Sequence, residues 1–169
     1  MNLKFFSTLF FILNHNGYPL FHRKYNGFGL DINCGDGKTI KEIQKEFPYT
    51  TFYGIEKEQQ KVFQLQKNYP NFNFMLKDIE KDNVRFLYKK FKVIHISDYE
   101  NLDIILRKTK KLLKEDGVCI LRYKDKDIND IHDIINNYKY LPKEVYIGPT
   151  DQYNRIHHFP KNNTLLWFY

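Results

Sequence analysis

The sequence contains little cysteine. Cys34 and Cys119 are the two cysteines among 169 residues, and each falls in or beside an apolar stretch. This placement predicts buried free thiols in a reducing compartment rather than a disulfide framework. No cysteine and histidine have the spacing of zinc ligands, and the adjacent His157 and His158 are predicted to lie in a loop. The sequence therefore predicts neither a disulfide-stapled scaffold nor a metal site.

A long apolar run is also absent. The mostly apolar stretch from Phe5 to Leu13 is too short to span a bilayer. The residues that follow it, Asn14 to Gly17, offer no small-residue cleavage site. We therefore expect Met1 to Leu13 to form an apolar helix that packs on the domain or on a partner. This predicts a cytoplasmic protein without membrane contact, with secretion as the alternative.

The sequence also lacks a dense cluster of basic residues. The formal net charge is +7 and the pI is about 9.2, but the lysines and arginines are spread along the chain. The charge therefore indicates a general compositional bias rather than a nucleic-acid surface. A nucleic-acid partner stays open without being favoured.

The most informative stretch runs from Gly29 to Ile40. Its first residues read as a short apolar strand, and its last residues begin a helix with apolar side chains at helical spacing. Between them, Asn33, Gly35 and Gly37 favour a turn with positive φ and almost no side chain in the way. Such a strand, turn and helix N-terminus let the backbone approach a ligand closely.

Strands and helices alternate along the rest of the chain. Further strands are predicted over 51–55, 72–76, 91–96 and 118–121, and the clearest helical stripe is predicted to end at Gly117. After a helix over 128–138, two last strands over 145–147 and 165–168 have no helix between them, which predicts an antiparallel pair. The fold class is therefore α/β, a doubly wound, mostly parallel sheet with a C-terminal antiparallel strand pair.

Two common ligands fit the glycine turn poorly. A P-loop needs a glycine where Ile32 stands, and Asp36 would place a negative charge in the phosphate cradle. A dinucleotide fingerprint needs Gly or Ala where Ile40 stands, although Glu56 lies where a ribose-binding acid is expected. Neither a nucleoside triphosphate nor NAD is favoured.

The stretch Leu30 to Gly37 resembles the Leu-Asp-x-Gly-Cys-Gly-x-Gly signature of the class I (Rossmann-like) S-adenosylmethionine-dependent methyltransferases. The segments 52–56, 77–79 and 112–118 are similar to that family's second-strand, third-strand and fifth-strand segments, in the right order. The run from Ile55 to Ile79 is similar to the small-molecule branch that includes trans-aconitate-type methyltransferases. The resemblance covers about 29–123 and implies S-adenosylmethionine as the cofactor.

The resemblance implies one methyltransferase domain over 1–169. It would comprise an N-terminal helix and lid-like segment over 1–27, a cofactor-binding core over 28–123, and a C-terminal helix with antiparallel strands over 124–169. The loop Tyr18 to Asn26 is expected to cover the mouth of the site. The acceptor is expected to be a small molecule.

The resemblance also implies a set of cofactor-binding residues. Asp31 would orient the methionine ammonium, and Glu56 would accept hydrogen bonds from both ribose hydroxyls. Asp78 would accept one from the adenine amino group. Each acid also has an ordinary structural explanation, such as a helix-start acid or an N-cap. The expected cofactor site comprises Asp31, Asn33, Gly35, Gly37, Glu56, Lys57, Asp78, Ile79 and His95.

Two side chains near the end of the fourth strand, His95 and Asp98, are candidate catalytic bases. Methyl transfer can proceed mainly by positioning, so an essential base need not exist. Asn33 stands where the family signature has its first glycine, and asparagine tolerates positive φ well. The alternatives to a small-molecule methyltransferase are an RNA or DNA methyltransferase and a catalytically inactive methyltransferase-like binding protein.

Overall fold

The computed structural model describes residues 27–127, 129–131, 133, 156–159 and 164–168. The expected N-terminal helix, the lid-like loop Tyr18 to Asn26 and the strand expected over 145–147 lie outside these residues. Of the helix expected over 128–138, residues 129–131 and 133 are described, and they are helical.

Strands and helices alternate as the sequence predicts. The first half of the chain forms β1 (Gly27–Ile32), α1 (Lys38–Glu46), β2 (Thr50–Glu56), α2 (Gln59–Asn68) and β3 (Asn73–Leu76). A short 3₁₀ turn (Arg85–Leu87) then leads to β4 (Phe91–Ile96), α3 (Leu102–Leu112) and β5 (Leu113–Arg122). A second 3₁₀ turn (Asp125–Asp127) and the strands β6 (Ile156–Phe159) and β7 (Thr164–Phe168) complete the described elements.

The strands form one seven-stranded sheet in the order β3-β2-β1-β4-β5-β7-β6. Strands β1 to β5 pair in parallel, whereas β7 pairs antiparallel with both β5 and β6. The predicted α/β fold, a doubly wound parallel sheet with a C-terminal antiparallel pair, is confirmed. The chain runs outward from β1 to β3 and then returns to place β4 on the other side of β1. Open α/β sheets bind ligands at such a reversal point, at the carboxyl ends of the strands.

Two apolar layers cover the two faces of the sheet. Alternate residues of the central strands point to opposite faces, so Leu30 and Ile32 join one buried cluster, whereas Val93 and Ile120 join the other. Apolar residues of α3 lie in the first cluster, and those of α1 and α2 lie in the second. The same alternation places three polar residues on the face opposite the first cluster, namely Asp31, Glu56 and His95. This is the face that α1 and α2 cover.

Two predictions about secondary structure are wrong: the end of helix α3, and the loop expected at His157 and His158. Helix α3 ends at Leu112 rather than at Gly117, because Leu113 already pairs with Phe91 of β4. Gly117 instead lies in a shift of register before the pair Val93–Val118, where a Cβ would meet the Lys114 carbonyl oxygen at 2.8 Å. This glycine is therefore required by the irregularity within β5 and not by the end of a helix.

His157 and His158 lie in strand β6 and not in the predicted loop. Among the described strands, β6 is at the edge of the sheet and pairs with β7 alone. An edge strand needs no continuous apolar run, so two adjacent histidines between Ile156 and Phe159 are compatible with a strand here. Strand β7 therefore pairs antiparallel with this segment on one side and with β5 on the other.

The two cysteines are buried free thiols, as predicted. Burial raises the pKa of both thiols, and the nearby Asp31 and Glu56 raise that of Cys34 further. Among the described residues, no helix is long and apolar enough to cross a membrane. The same part of the chain contains no cluster of three side chains suited to a metal ion.

Candidate functional site

The turn between β1 and α1 has the left-handed backbone that its sequence predicts. The φ angles are 53° at Asn33, 56° at Gly35 and 77° at Gly37. The Cys34 amide donates to the Ile55 carbonyl at 3.0 Å, which fastens the turn to the neighbouring strand β2. The turn therefore sits at the carboxyl ends of the adjacent strands β1 and β2.

The two glycines of the turn have different surroundings. A Cβ on Gly37 would meet Leu65 Cδ2 and the Tyr69 ring, both at 2.7 Å, so helix α2 packs directly on this residue. A Cβ on Gly35 would meet nothing within 4 Å, and Gly35 is half-buried at the surface of the turn. Gly37 is thus explained by packing, whereas the space beside Gly35 is free of described protein atoms.

Asn33 links the turn to the loop after β4. Its side-chain Nδ2 donates to the Asp98 carbonyl oxygen at 2.8 Å. Its Oδ1 is buried and accepts no hydrogen bond from the described residues. The asparagine that replaces the signature's first glycine therefore provides a cross-link between two loops and leaves one acceptor oxygen unused.

Glu56 is buried at the end of β2, where its carboxylate accepts three backbone hydrogen bonds. Oε2 accepts from the Gly35 amide at 3.0 Å, and Oε1 accepts from the amides of Lys57 at 2.9 Å and Glu58 at 3.2 Å. A carboxylate offers about four acceptor positions, so about one remains. Glu56 is thus both an acid at the start of α2 and the group that holds the glycine turn against β2.

Asp31 and His95 form a pair beneath the turn. They are register partners on the adjacent strands β1 and β4, and neither has any exposed surface. His95 Nδ1 lies 2.7 Å from Asp31 Oδ1. Asp31 Oδ2 is buried and has no hydrogen-bond partner among the described residues. The end of β1 therefore carries two unused buried oxygens, one on Asp31 and one on Asn33.

Asp78 follows β3 and organises its own loop. Oδ1 accepts from the amides of Glu80 at 3.0 Å and Lys81 at 3.3 Å. These residues form a turn, and the short 3₁₀ turn begins only at Arg85, so Asp78 is not the N-cap of that element. Burial alone would raise the pKa of Asp78, but the hydrogen bonds from Glu80 and Lys81 hold that pKa below its ordinary value. Ile79 beside it is fully buried.

Ion pairs join the loops around the site. Lys57 pairs with Glu100, and the Glu80 carboxylate accepts from the amides of Glu100 and Asn101, both at 2.7 Å. The loops after β2, β3 and β4 are therefore fastened to each other. Sequence reasoning missed Glu80 and Glu100, because only the strand order brings these loops together.

The second candidate base, Asp98, lies at the surface of the loop after β4. Asp98 Oδ1 lies 2.9 Å from Lys124 Nζ, and Lys124 also donates to the Tyr99 carbonyl. Burial would raise the pKa of Asp98, but the hydrogen bond and the charge of Lys124 lower it. An ion-paired carboxylate with a lowered pKa is a weak proton acceptor near neutral pH.

Comparison with known proteins is consistent with this architecture. The model of a family described as a methyltransferase domain matches residues 26–161. No curated protein matches the sequence. Three solved structures illustrate the similarity in fold: a precorrin-6y C5,15-methyltransferase from Geobacter metallireducens, a putative sarcosine dimethylglycine methyltransferase from Galdieria sulphuraria, and the plantazolicin methyltransferase BpumL bound to an analogue and SAH.

These structures share little sequence with the chain. The Geobacter protein is 13% identical with a TM-score of 0.57, and the match covers 72% of this chain and 67% of that one. The Galdieria protein is 14% identical with a TM-score of 0.58, covering 82% and 55%. BpumL is 23% identical with a TM-score of 0.52, covering 70% and 46%. The chain thus spans about half to two thirds of their lengths.

Proposed function

The chain belongs to the methyltransferase-domain family, whose cofactor is S-adenosylmethionine, and we propose that it transfers a methyl group from this cofactor to a small molecule. The proposal rests on the family match together with the chemistry at the carboxyl ends of β1 and β2. BpumL, which shares the fold, binds SAH, the product form of this cofactor.

One observation carries the proposal. The end of β1 holds two buried acceptor oxygens, Asp31 Oδ2 and Asn33 Oδ1, without a donor among the described residues. Buried polar atoms in native proteins are nearly always hydrogen-bonded, so these oxygens favour a ligand with N–H donors and a positive charge. The methionine ammonium of S-adenosylmethionine has both, whereas a phosphate group would be repelled by Asp31.

The remaining cofactor residues follow from the same arrangement. The space beside Gly35 would accommodate the methionine portion, because no described atom lies within 4 Å of the position of a Cβ there. Glu56 would accept a ribose hydroxyl through its remaining acceptor position, and a second hydroxyl would have to displace one backbone amide. Asp78, Ile79 and Lys57 line the loops where the adenine end would lie.

When bound, the cofactor supplies a sulfonium-activated methyl group that moves to an acceptor atom. The protein holds the two reactants in line and excludes water, and such positioning alone can supply much of the barrier reduction. Neither candidate base is well suited to accept a proton from the acceptor. His95 Nδ1 lies 2.7 Å from Asp31 Oδ1, and Asp98 is held in an ion pair with Lys124. We therefore propose a reaction that depends on positioning.

The charges at the mouth favour a small acceptor over a nucleic acid. Among the described residues, three lysines of the surrounding loops are each paired with an acid: Lys57 with Glu100, Lys81 with Asp78, and Lys124 with Asp98. Binding of a phosphate backbone depends on basic side chains that are free to replace counterions. The trans-aconitate-type branch is our working suggestion for the class of small molecule.

Methyl-labelled S-adenosylmethionine tests the proposal. The protein would be incubated with the low-molecular-mass fraction of a host extract or with the RNA and DNA of the same extract, and Gly35→Ala would serve as the background control. We expect transfer of label to the small-molecule fraction. Transfer to RNA or DNA would indicate a nucleic-acid methyltransferase. Cofactor binding without transfer to either fraction would indicate an inactive methyltransferase-like protein.

A further inference from the structure

Asp31 and His95 form a buried pair whose geometry suits a contact between the two side chains better than general-base catalysis by His95. The two residues are opposite each other on β1 and β4, with Nδ1 and Oδ1 2.7 Å apart. Both are fully buried on the sheet face that also carries Val93 and Ile120. A general base must come within hydrogen-bond reach of the acceptor, directly or through one water. The contact that the geometry gives His95 is the one from Nδ1 to Asp31 Oδ1.

A single hydrogen bond to one oxygen determines where the other oxygen points. The terminal torsion of an aspartate is broad and roughly two-fold, so an unrestrained carboxylate turns freely. With Oδ1 held by His95, the orientation of Oδ2 is fixed. Asp31 Oδ2 is also the buried oxygen that has no partner among the described residues. A buried carboxylate without any partner is costly, and the His95 contact lowers that cost.

We propose that His95 is a positioning residue: it holds Asp31 so that Oδ2 faces the ammonium group of the cofactor's methionine portion. This inference rests on the proposed function, since it assigns a role within the same site. It makes His95 necessary for recognition of the amino-acid end of the cofactor and irrelevant to recognition of the adenosine end.

Two variants and two ligands separate this role from a general structural one. His95→Asn keeps an N–H donor near the position of Nδ1, whereas His95→Leu removes the donor and keeps an apolar side chain. S-adenosylhomocysteine carries the methionine-derived ammonium, and 5′-methylthioadenosine lacks it. Dissociation constants for both ligands would be measured by calorimetry on wild type and on each variant.

We expect His95→Leu to weaken S-adenosylhomocysteine binding by about 10-fold or more, the range for a hydrogen bond to a charged group. Binding of 5′-methylthioadenosine should stay within about 2-fold of wild type, and His95→Asn should restore most of the lost affinity. Equal weakening of both ligands, or unchanged binding of S-adenosylhomocysteine by His95→Leu, would overturn the inference. If wild type binds neither ligand, the proposed function fails and the inference fails with it.

A measurement on wild type remains informative if His95→Leu does not fold. In protein labelled with ¹⁵N-histidine, the His95 ring signals should shift when S-adenosylhomocysteine is added and stay nearly unchanged with 5′-methylthioadenosine. Equal shifts with the two ligands would show that His95 does not respond to the ammonium and would overturn the inference.

Discussion

The two glycines of the turn should respond differently to the same substitution. Gly35 and Gly37 both have positive φ, so alanine at either position costs about 1–2 kcal/mol of stability through the backbone. At Gly37 the added Cβ would also lie 2.7 Å from Leu65 of α2 and from Tyr69, which follows that helix. Overpacking of this kind costs a further ~1–3 kcal/mol. At Gly35 the added Cβ meets no described atom and would enter the space assigned to the ligand.

We therefore expect Gly37→Ala to lower the free energy of unfolding by about 2–5 kcal/mol, and Gly35→Ala by only about 1–2 kcal/mol. Gly35→Ala should instead weaken S-adenosylhomocysteine binding by about 10-fold or more. Urea unfolding gives the stabilities, and calorimetry gives the dissociation constants. Each variant is the control for the other, because the backbone cost is common to both.

The assignment of the two glycines is refuted by either of two results. One is a loss of stability in Gly35→Ala as large as that in Gly37→Ala. The other is an unchanged dissociation constant for S-adenosylhomocysteine in folded Gly35→Ala protein.

Three further substitutions test other contacts of the site. Glu56→Ala should weaken S-adenosylhomocysteine binding by about 1.5–3 kcal/mol. It should also reduce stability, because three backbone amides lose their acceptor. An unchanged dissociation constant in folded protein would leave Glu56 with a structural role alone, at the start of α2. Asn33→Asp keeps the shape of the side chain but replaces the donor to the Asp98 carbonyl with an acceptor. Urea unfolding should therefore show a loss of about 1–3 kcal/mol in the free energy of unfolding. A variant as stable as wild type would contradict the cross-link between the two loops. Lys124 lowers the pKa of Asp98 below its ordinary value of 3.8, so their pair stabilises the fold above that pH and loses its effect as the pH falls through the lowered pKa. Lys124→Met should therefore reduce stability more at about pH 7 than at about pH 2, where only its hydrogen bond to the Tyr99 carbonyl is lost, and an equal reduction at both would argue against the ion pair.

The parts of the structure that depend on local chemistry could be predicted from the sequence. Asn33, Gly35 and Gly37 are residue types that tolerate left-handed backbone, and all three adopt it. The alternation of apolar strands and amphipathic helices likewise predicted the parallel sheet, because such strands must be covered on both faces.

The parts that depend on register and on distant contacts could not be predicted. The contact between Asp31 and His95 requires β4 to lie beside β1 in one particular register, which no local pattern specifies. The bonds from Glu80 to the loop after β4 depend on the same strand order. The end of α3 was missed because Leu112 and Leu113 are both buried, one as the last residue of a helix and the other as the first of a strand.

The most direct test of the account is a calorimetric titration of the wild-type protein with S-adenosylhomocysteine, NAD and ATP under the same conditions. Acids beneath the glycine turn favour a ligand with a positive charge and no phosphate, so S-adenosylhomocysteine should bind at a single site and more tightly than the other two. Tighter binding of NAD or ATP would contradict the account, as would the absence of binding by S-adenosylhomocysteine.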